Sequence, residues 1–334
     1  MIDRVMGALL MAAAWIGLAG SALAQNTSPA AGAFPVRPIT LIVPFPAGGP
    51  SDALARAVSQ VMATDLGQSV VVENVGGAGG TIGLAKVVKS VPDGYTIGFG
   101  TIGTHVANVA LYKKLPYDPL TDFMPIGLAG TASTILVVRS TLPVASLDEF
   151  TAYVRANGDK MTFASAGIGS ISHFSCVILL SSLKLNVTHV PYRGVAPAMN
   201  DLIGGHTDFM CDQTTTALSQ ISGGTIKAIA VLSDEKVRQL PNIATVASAG
   251  YPEVNVRAWN ALFAPKGTPA DVVERLARAL RAAVSDKALQ TQMAAVGVEL
   301  PEPEKLKAAS VTELIANGIR RDVPQLRLRG ESLD

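Results

Sequence analysis

The chain has 334 residues and a formal charge of +1, with 27 Lys and Arg against 26 Asp and Glu. That balance argues against nucleic acid or an anionic membrane surface as the main partner. With aromatics at 5% there are few platforms for stacking sugars or bases, whereas 49% hydrophobic residues and 31 glycines fit a tightly turned α/β protein. The length exceeds what one compact core usually serves, so two domains are expected.

The chain opens with a secretory pattern. Arg4 supplies a thin positive start, Met6 to Ala19 is apolar, and Ala22-Leu23-Ala24 is an A-x-A cleavage site before Gln25. The apolar run is shorter than the roughly 20 residues that span a bilayer, and no cysteine follows the cut to carry a lipid. Residues 1–24 are therefore expected to be a signal peptide cleaved after Ala24, giving an exported, periplasmic protein. Residues 25–38, QNTSPAAGAFPVRP, lack periodicity and read as an extended leader.

From Ile39 onward, strands and helices alternate. The first set predicts strands at Ile39–Phe45, Ser69–Asn74 and Tyr95–Gly100, and helices at Asp52–Leu66, Thr81–Lys89 and His105–Leu111. A second set predicts strands at Ile135–Arg139, Thr162–Ser165, Asn186–Val190, Thr207–Cys211 and Ile226–Leu232. Its helices are Leu147–Ala156, Ser172–Leu183, Ala196–Ile203 and Thr215–Ile221. After the Pro/Gly-rich stretch Pro241–Pro252 come a strand at Val256–Ala264 and helices at Ala270–Val284 and Lys287–Ala295. A last helix runs from Val311 toward Arg321, where Pro324 disturbs it. Alternation of this kind predicts two doubly wound α/β sheets. The C-terminal return suggests one domain inserted in the other: residues 39–130 plus 236–334 form lobe 1 and residues 131–235 form lobe 2. Two crossing strands make the hinge.

The chemistry concentrates where strands end and helices begin. Pro46-Ala47-Gly48-Gly49-Pro50 separates an apolar strand from a helix opened by Ser51 and Asp52. Such a junction turns free backbone N–H groups and a positive helix end toward the crevice. Gly76 to Gly80, before Thr81, repeats the arrangement. A nucleotide site is the rival reading, but the Lys-Ser/Thr end of a P-loop is missing and the glycines do not fit G-x-G-x-x-G. Two such junctions in neighbouring units point to one small anion held by main-chain donors without an Arg or Lys clamp. Thr101 and Thr104 follow the third strand and can add hydroxyls, with His105 as a structural residue at a helix start. Ser165, Ser170 and Ser172 can grip a polar ligand from the other side or serve as caps and turns. Asp212, placed just past a strand, either reads ligand donors or caps the next helix.

Enzymatic readings have less support. No G-x-S-x-G elbow occurs, and none of His105, His173, His189 and His206 belongs to H-E-x-x-H. A hydrolase would need a pair such as Ser172 or Ser175 with His173. No metal and no cofactor are expected. The two cysteines, Cys176 and Cys211, make no recognisable zinc pattern. In an oxidising compartment a bridge between them is favoured over two separate buried thiols.

With these residues in view, the chain from Pro38 to about Ala295 resembles the substrate-binding proteins of tripartite tricarboxylate transporters, also called the Bug-type family. The resemblance rests on ITLIVPFPAGGPSDALAR, GGAGGTIG, VPDGYTIG, LYKKLPYDPLTDFMPIG, ASAGIGSISH, THVPYRGVAPAMNDLIGGHTDFMCD and APKGTP. It implies a periplasmic-binding-protein-like, two-lobed clamshell (a Venus flytrap) that closes on a small organic carboxylate and docks on a membrane permease. It implies no enzymatic activity. The implied ligand-binding positions are Ala47, Gly48, Gly49, Ser51 and Asp52, then Gly79, Gly80 and Thr81, with Thr101 beside them. From the second lobe come Ser165, Gly169, Ser170 and Asp212. A monomer that binds no nucleic acid is expected. An exported sensor presenting its loaded form to a membrane signalling partner is the alternative. The C-terminal QLRLRGESLD and the two cysteines depart from the family pattern.

Overall fold

The computed structural model describes residues 34–302 and 306–328. The expected signal peptide and residues 25–33 of the leader lie outside them. Ile39, Leu41, Ile42 and Val43 are fully buried because β1 (Ile39–Val43) has a parallel neighbour on each side, β2 (Val70–Asn74) and β3 (Thr96–Thr101). The connecting helices are α1 (Pro50–Leu66) and α2 (Thr81–Val88). α1 starts two residues before the expected Asp52, because Pro50 fits the first helical position, where the N–H donor it lacks would have no acceptor within the helix. The single helix expected from His105 is instead a five-residue π turn, Gly103–Ala107, leading into the short α3 (Asn108–Leu111).

β4 (Phe123–Arg139) is 17 residues long, although only Ile135–Arg139 reads as a strand from sequence. Its first part contains Pro125, Gly127 and Gly130, residues that ordinarily argue against a strand interior. Register shifts between Pro125 and Gly127 and between Leu128 and Gly130 absorb them as bulges. Next come α4 (Leu147–Asn157), β5 (Thr162–Ser165), α5 (Ile171–Ser182) and β6 (Thr188–Pro191). They are followed by α6 (Val195–Ile203), β7 (Phe209–Gln213), α7 (Thr214–Ser222) and β8 (Ile226–Val231). β7 ends two residues later than expected, which puts Asp212 inside the strand and not past it. The return consists of β9 (Arg257–Pro265), α8 (Ala270–Ser285), α9 (Lys287–Ala295), β10 (Val298–Glu299) and α10 (Ala308–Leu328). α10 continues through Pro324, since Val323 and Leu326 beyond the expected end are buried against the core.

Among the described residues the strands join into one sheet in the order β2-β1-β3-β9-β4-β7-β5-β6, with β8 and β10 also paired to β4. The parallel sets β2-β1-β3 and β7-β5-β6 are the two wound halves. Antiparallel β9 and β4 stand between them and join the two halves through a continuous ladder. Residues from Phe123 to Ser133 of β4 pair with β9, and those from Thr134 to Val138 pair with β7. Cys176 on α5 and Cys211 on β7 are joined by a disulfide, with Cα atoms 5.4 Å apart.

Candidate functional site

The carboxyl ends of β1, β3, β5 and β7 lead into loops around a cavity of about 130 Å³. That is close to an engineered cavity of about 150 Å³ that holds benzene. Four helices begin at its wall. The residues preceding α1, α5, α6 and α7, namely Gly49, Ser170, Gly194 and Gln213, all line it. Only Ser170 places a side chain over its own helix end, accepting from the His173 N–H; the other three ends have no side-chain cap. The first N–H groups of a helix have no acceptor within it, and the aligned peptide dipoles make that end positive. Four such ends around one small space form a receptacle for an anion.

Side chains add fixed donors. Ser51 Oγ donates to Asn260 Oδ1 over 3.1 Å, and both residues are buried. Asn260 sits in β9 opposite Thr101 of β3 and Gly130 of β4, and its amide nitrogen retains its donors. Gln213, only 5% exposed, also lines the cavity. Trp259 supplies an apolar wall. Arg193 lines both this cavity and a wider neighbour of about 870 Å³. Among the described residues it is the one charged group lining either, and it is exposed. A single exposed guanidinium therefore stands at the edge of the site.

The residues expected from sequence divide by position. Ala47, Gly49, Ser51, Thr101 and Ser170 line the first cavity. Ala47, Gly79 and Gly80 line the second, which shares Phe45, Pro46, Ala166 and Gly194 with the first. Gly48, Asp52, Thr81, Ser165, Gly169 and Asp212 line neither. Asp52 shapes the loop: its carboxylate accepts from the Gly48 N–H at 3.0 Å, Asn74 Nδ2 at 2.9 Å and Arg56 Nε at 3.0 Å. Burial alone would raise its pKa, but these donors together hold it below the usual value. Asp212 is buried away from the cavity and accepts the Thr216 hydroxyl at 2.5 Å. Burial pushes its pKa up to about 6, against the pull of Thr216 and the Gln213 N–H. Successive strand residues face opposite sides, so the neighbour Gln213 reaches the cavity while Asp212 does not.

Ser165 Oγ lies 2.7 Å from His189 Nε2 and accepts the Gly167 N–H at 3.1 Å, so this Ser–His pair braces the loop outside both cavities. Ser175 donates to the Ile171 carbonyl and Ser172 Oγ accepts the Ala166 N–H. His105 is fully buried, stacked on Phe263 at 4.2 Å between ring centres, and burial lowers its pKa to about 3. Among the described residues no His, Cys, Asp and Glu cluster is arranged to hold a metal ion.

The residues that sequence reasoning missed left traces. Asn260 is the one polar side chain in the otherwise apolar run AWNALFAP, and such an interruption of a buried strand invites a polar role. Arg193 lies within PYRGVAP, between a strand end and a helix start. Gln213 follows Asp212 directly.

Residues 54–330 match the family model described as the tripartite tricarboxylate transporter family receptor. Among solved structures, the periplasmic binding protein BugD is 38% identical, with a TM-score of 0.86 over 90% of this chain and 100% of that one. MatC from Rhodopseudomonas palustris, solved with bound malate, is 38% identical, with a TM-score of 0.85 over 88% of this chain and 100% of that one. A second R. palustris protein, solved with adipate, is 29% identical, with a TM-score of 0.84 over 90% of this chain and 100% of that one.

Proposed function

This chain belongs to the tripartite tricarboxylate transporter receptor family, and we propose that it captures a small organic dicarboxylate in the periplasm and delivers it to a membrane permease. The observation that carries this reading is the meeting of four helix N-termini on a cavity of about 130 Å³ that, among the described residues, no carboxylate lines. An anion removed from water needs its hydration replaced by fixed donors, and the helix ends, Asn260 and Gln213 offer them. Bound malate in one neighbour and adipate in another favour a solute with two acid groups. One carboxylate would sit at the junction of β1 and α1, and the other end would extend toward Arg193.

Delivery requires release as well as capture. A buried, bidentate Arg–carboxylate fork would hold the solute firmly, whereas an exposed Arg193 contributes a screened attraction. The lobe division proposed from sequence, residues 39–130 plus 236–334 against 131–235, puts α1 in one lobe and α5, α6 and α7 in the other. The solute would then bridge the lobes. Export agrees with the Cys176–Cys211 bridge, since disulfides persist in oxidising compartments.

The test is a thermal-shift and calorimetric panel of malate, adipate, simple monocarboxylates and aromatic acids. A dicarboxylate at about 100 times its Kd should stabilise the fold by about 2.7 kcal/mol. No stabilisation by any member of the panel would overturn the reading.

A further inference from the structure

Beside the second cavity, segments from the two halves of the sheet meet backbone to backbone. Gly79, Gly103 and Asn108 follow β2 and β3, whereas Ile168 and Gly169 lie in the loop between β5 and α5. A Cβ on Gly79 would stand 2.7 Å from the Ile168 carbonyl oxygen and 3.2 Å from the Gly169 Cα. One on Gly103 would stand 2.5 Å from the Gly169 oxygen, and one on Gly169 would stand 2.2 Å from Asn108 Oδ1. The Ile168 and Gly169 neighbours are main-chain atoms, so no rotamer change relieves the overlaps at Gly79 and Gly103.

Asn108 is the side chain at this contact. It is fully buried, and its Nδ2 donates to the Gly79 carbonyl at 3.0 Å. Its Oδ1 has no hydrogen-bond partner. An acceptor that water can satisfy when the halves part loses that partner when they meet, which opposes closure. The close approach of three glycines favours closure by packing, and the stripped oxygen limits it.

We propose that Gly79, Gly103 and Gly169 form a side-chain-free latch whose closing sets how tightly this protein holds its solute. The proposal rests on the solute-binding reading for its consequence, but not for its geometry. Gly79 and Gly169 have φ of +61° and +83°, so a side chain there strains its own backbone. Gly103 does not: it begins a helical turn outside the left-handed region, and the one close obstruction to its Cβ is the Gly169 oxygen. Gly103→Ala should therefore be tolerated by the fold and resisted only by the closed contact.

The experiment measures distances between nitroxide labels on Val71→Cys and Asn186→Cys, exposed positions at or beside β2 and β6, the two ends of the sheet. The native cysteines are bridged and buried, so they take no label. In the otherwise unaltered protein a short-distance population matching the closed contact is expected, rising with malate or adipate. Gly103→Ala should reduce that population and, if it falls tenfold, raise the apparent Kd about tenfold, with the unliganded Tm kept. A Gly103→Ala protein with unchanged distances overturns the latch, as does a protein that never shows the short population. If distances respond to Gly103→Ala but neither dicarboxylate binds the parent protein, the latch stands and the dicarboxylate reading fails.

Discussion

Ser51 and Asn260, 209 positions apart in the chain, meet inside the cavity, where the serine hydroxyl donates to Asn260 Oδ1 over 3.1 Å. This bond fixes which end of the amide is occupied. The oxygen is taken by Ser51, so the nitrogen is left to face the cavity as a donor. The first turn of α1 thereby orients a group carried by β9, and the strand order that brings β9 next to β3 is what makes this possible.

Asn260→Asp keeps an acceptor for Ser51 but replaces the donor with a charge of the solute's own sign. Its affinity for malate or adipate should fall by about a hundredfold or more, and that of Asn260→Ala by about tenfold, the scale of losing a hydrogen bond to a charged group. Isothermal calorimetry with Tm as a folding control checks this. Unimpaired binding by Asn260→Asp would place the solute elsewhere.

Arg193 is exposed, so its attraction is screened by salt. Arg193→Gln should weaken binding by no more than about tenfold and flatten its salt dependence between about 20 and 500 mM. A loss of a thousandfold that salt does not alter would show a desolvated clamp in place of a rim charge.

Asp212 gives a pH signature. Its pKa of about 6 in the fold lies above the ordinary carboxyl value of 3.8, so the native state binds its proton more tightly than the unfolded chain. The stabilising contribution is full below the unfolded value and is lost as pH rises through about 6. Asp212→Asn, neutral throughout and still able to accept from Thr216, should raise stability near pH 7.5 by on the order of 1 to 3 kcal/mol. The gain should vanish near pH 4. Since Asp212 lines neither cavity, affinity for dicarboxylates should change by less than about twofold. Urea melts at the two pH values decide the sign.

The disulfide between Cys176 and Cys211 closes a 35-residue separation and ties α5 to β7, two elements at the cavity. In the chain-entropy account a loop of this length is worth roughly 3 to 4 kcal/mol. Cys176→Ala with Cys211→Ala should lower the urea midpoint accordingly. Equal midpoints for the bridged protein and the double variant would show that the link adds nothing to the fold.

Much of the site's scaffold was legible in advance because it is local. The burst of apolar residues before Pro46, the helical recurrence after Ser51, and the glycines from Gly76 to Gly80 each announce their conformation within a few residues. What misled the reading was also physical. The start of β4 carries Pro125 and two glycines that bulges accommodate. α10 passes Pro324 because burial of Val323 and Leu326 outweighs a missing backbone donor. β7 runs two residues past Cys211, which places Asp212 within the strand, where it lines neither cavity.

By itself, then, the sequence determined the strand, loop and helix junctions and the family pattern, since propensity, periodicity and turn chemistry act over short stretches of chain. Tertiary structure alone decided that four of those junctions point at one cavity, that Asn260 and Gln213 face it while Asp212 turns away, and that Gly103 touches Gly169. Those outcomes depend on strand order and on which face of a strand is enclosed, and both are set by contacts between residues far apart in the chain.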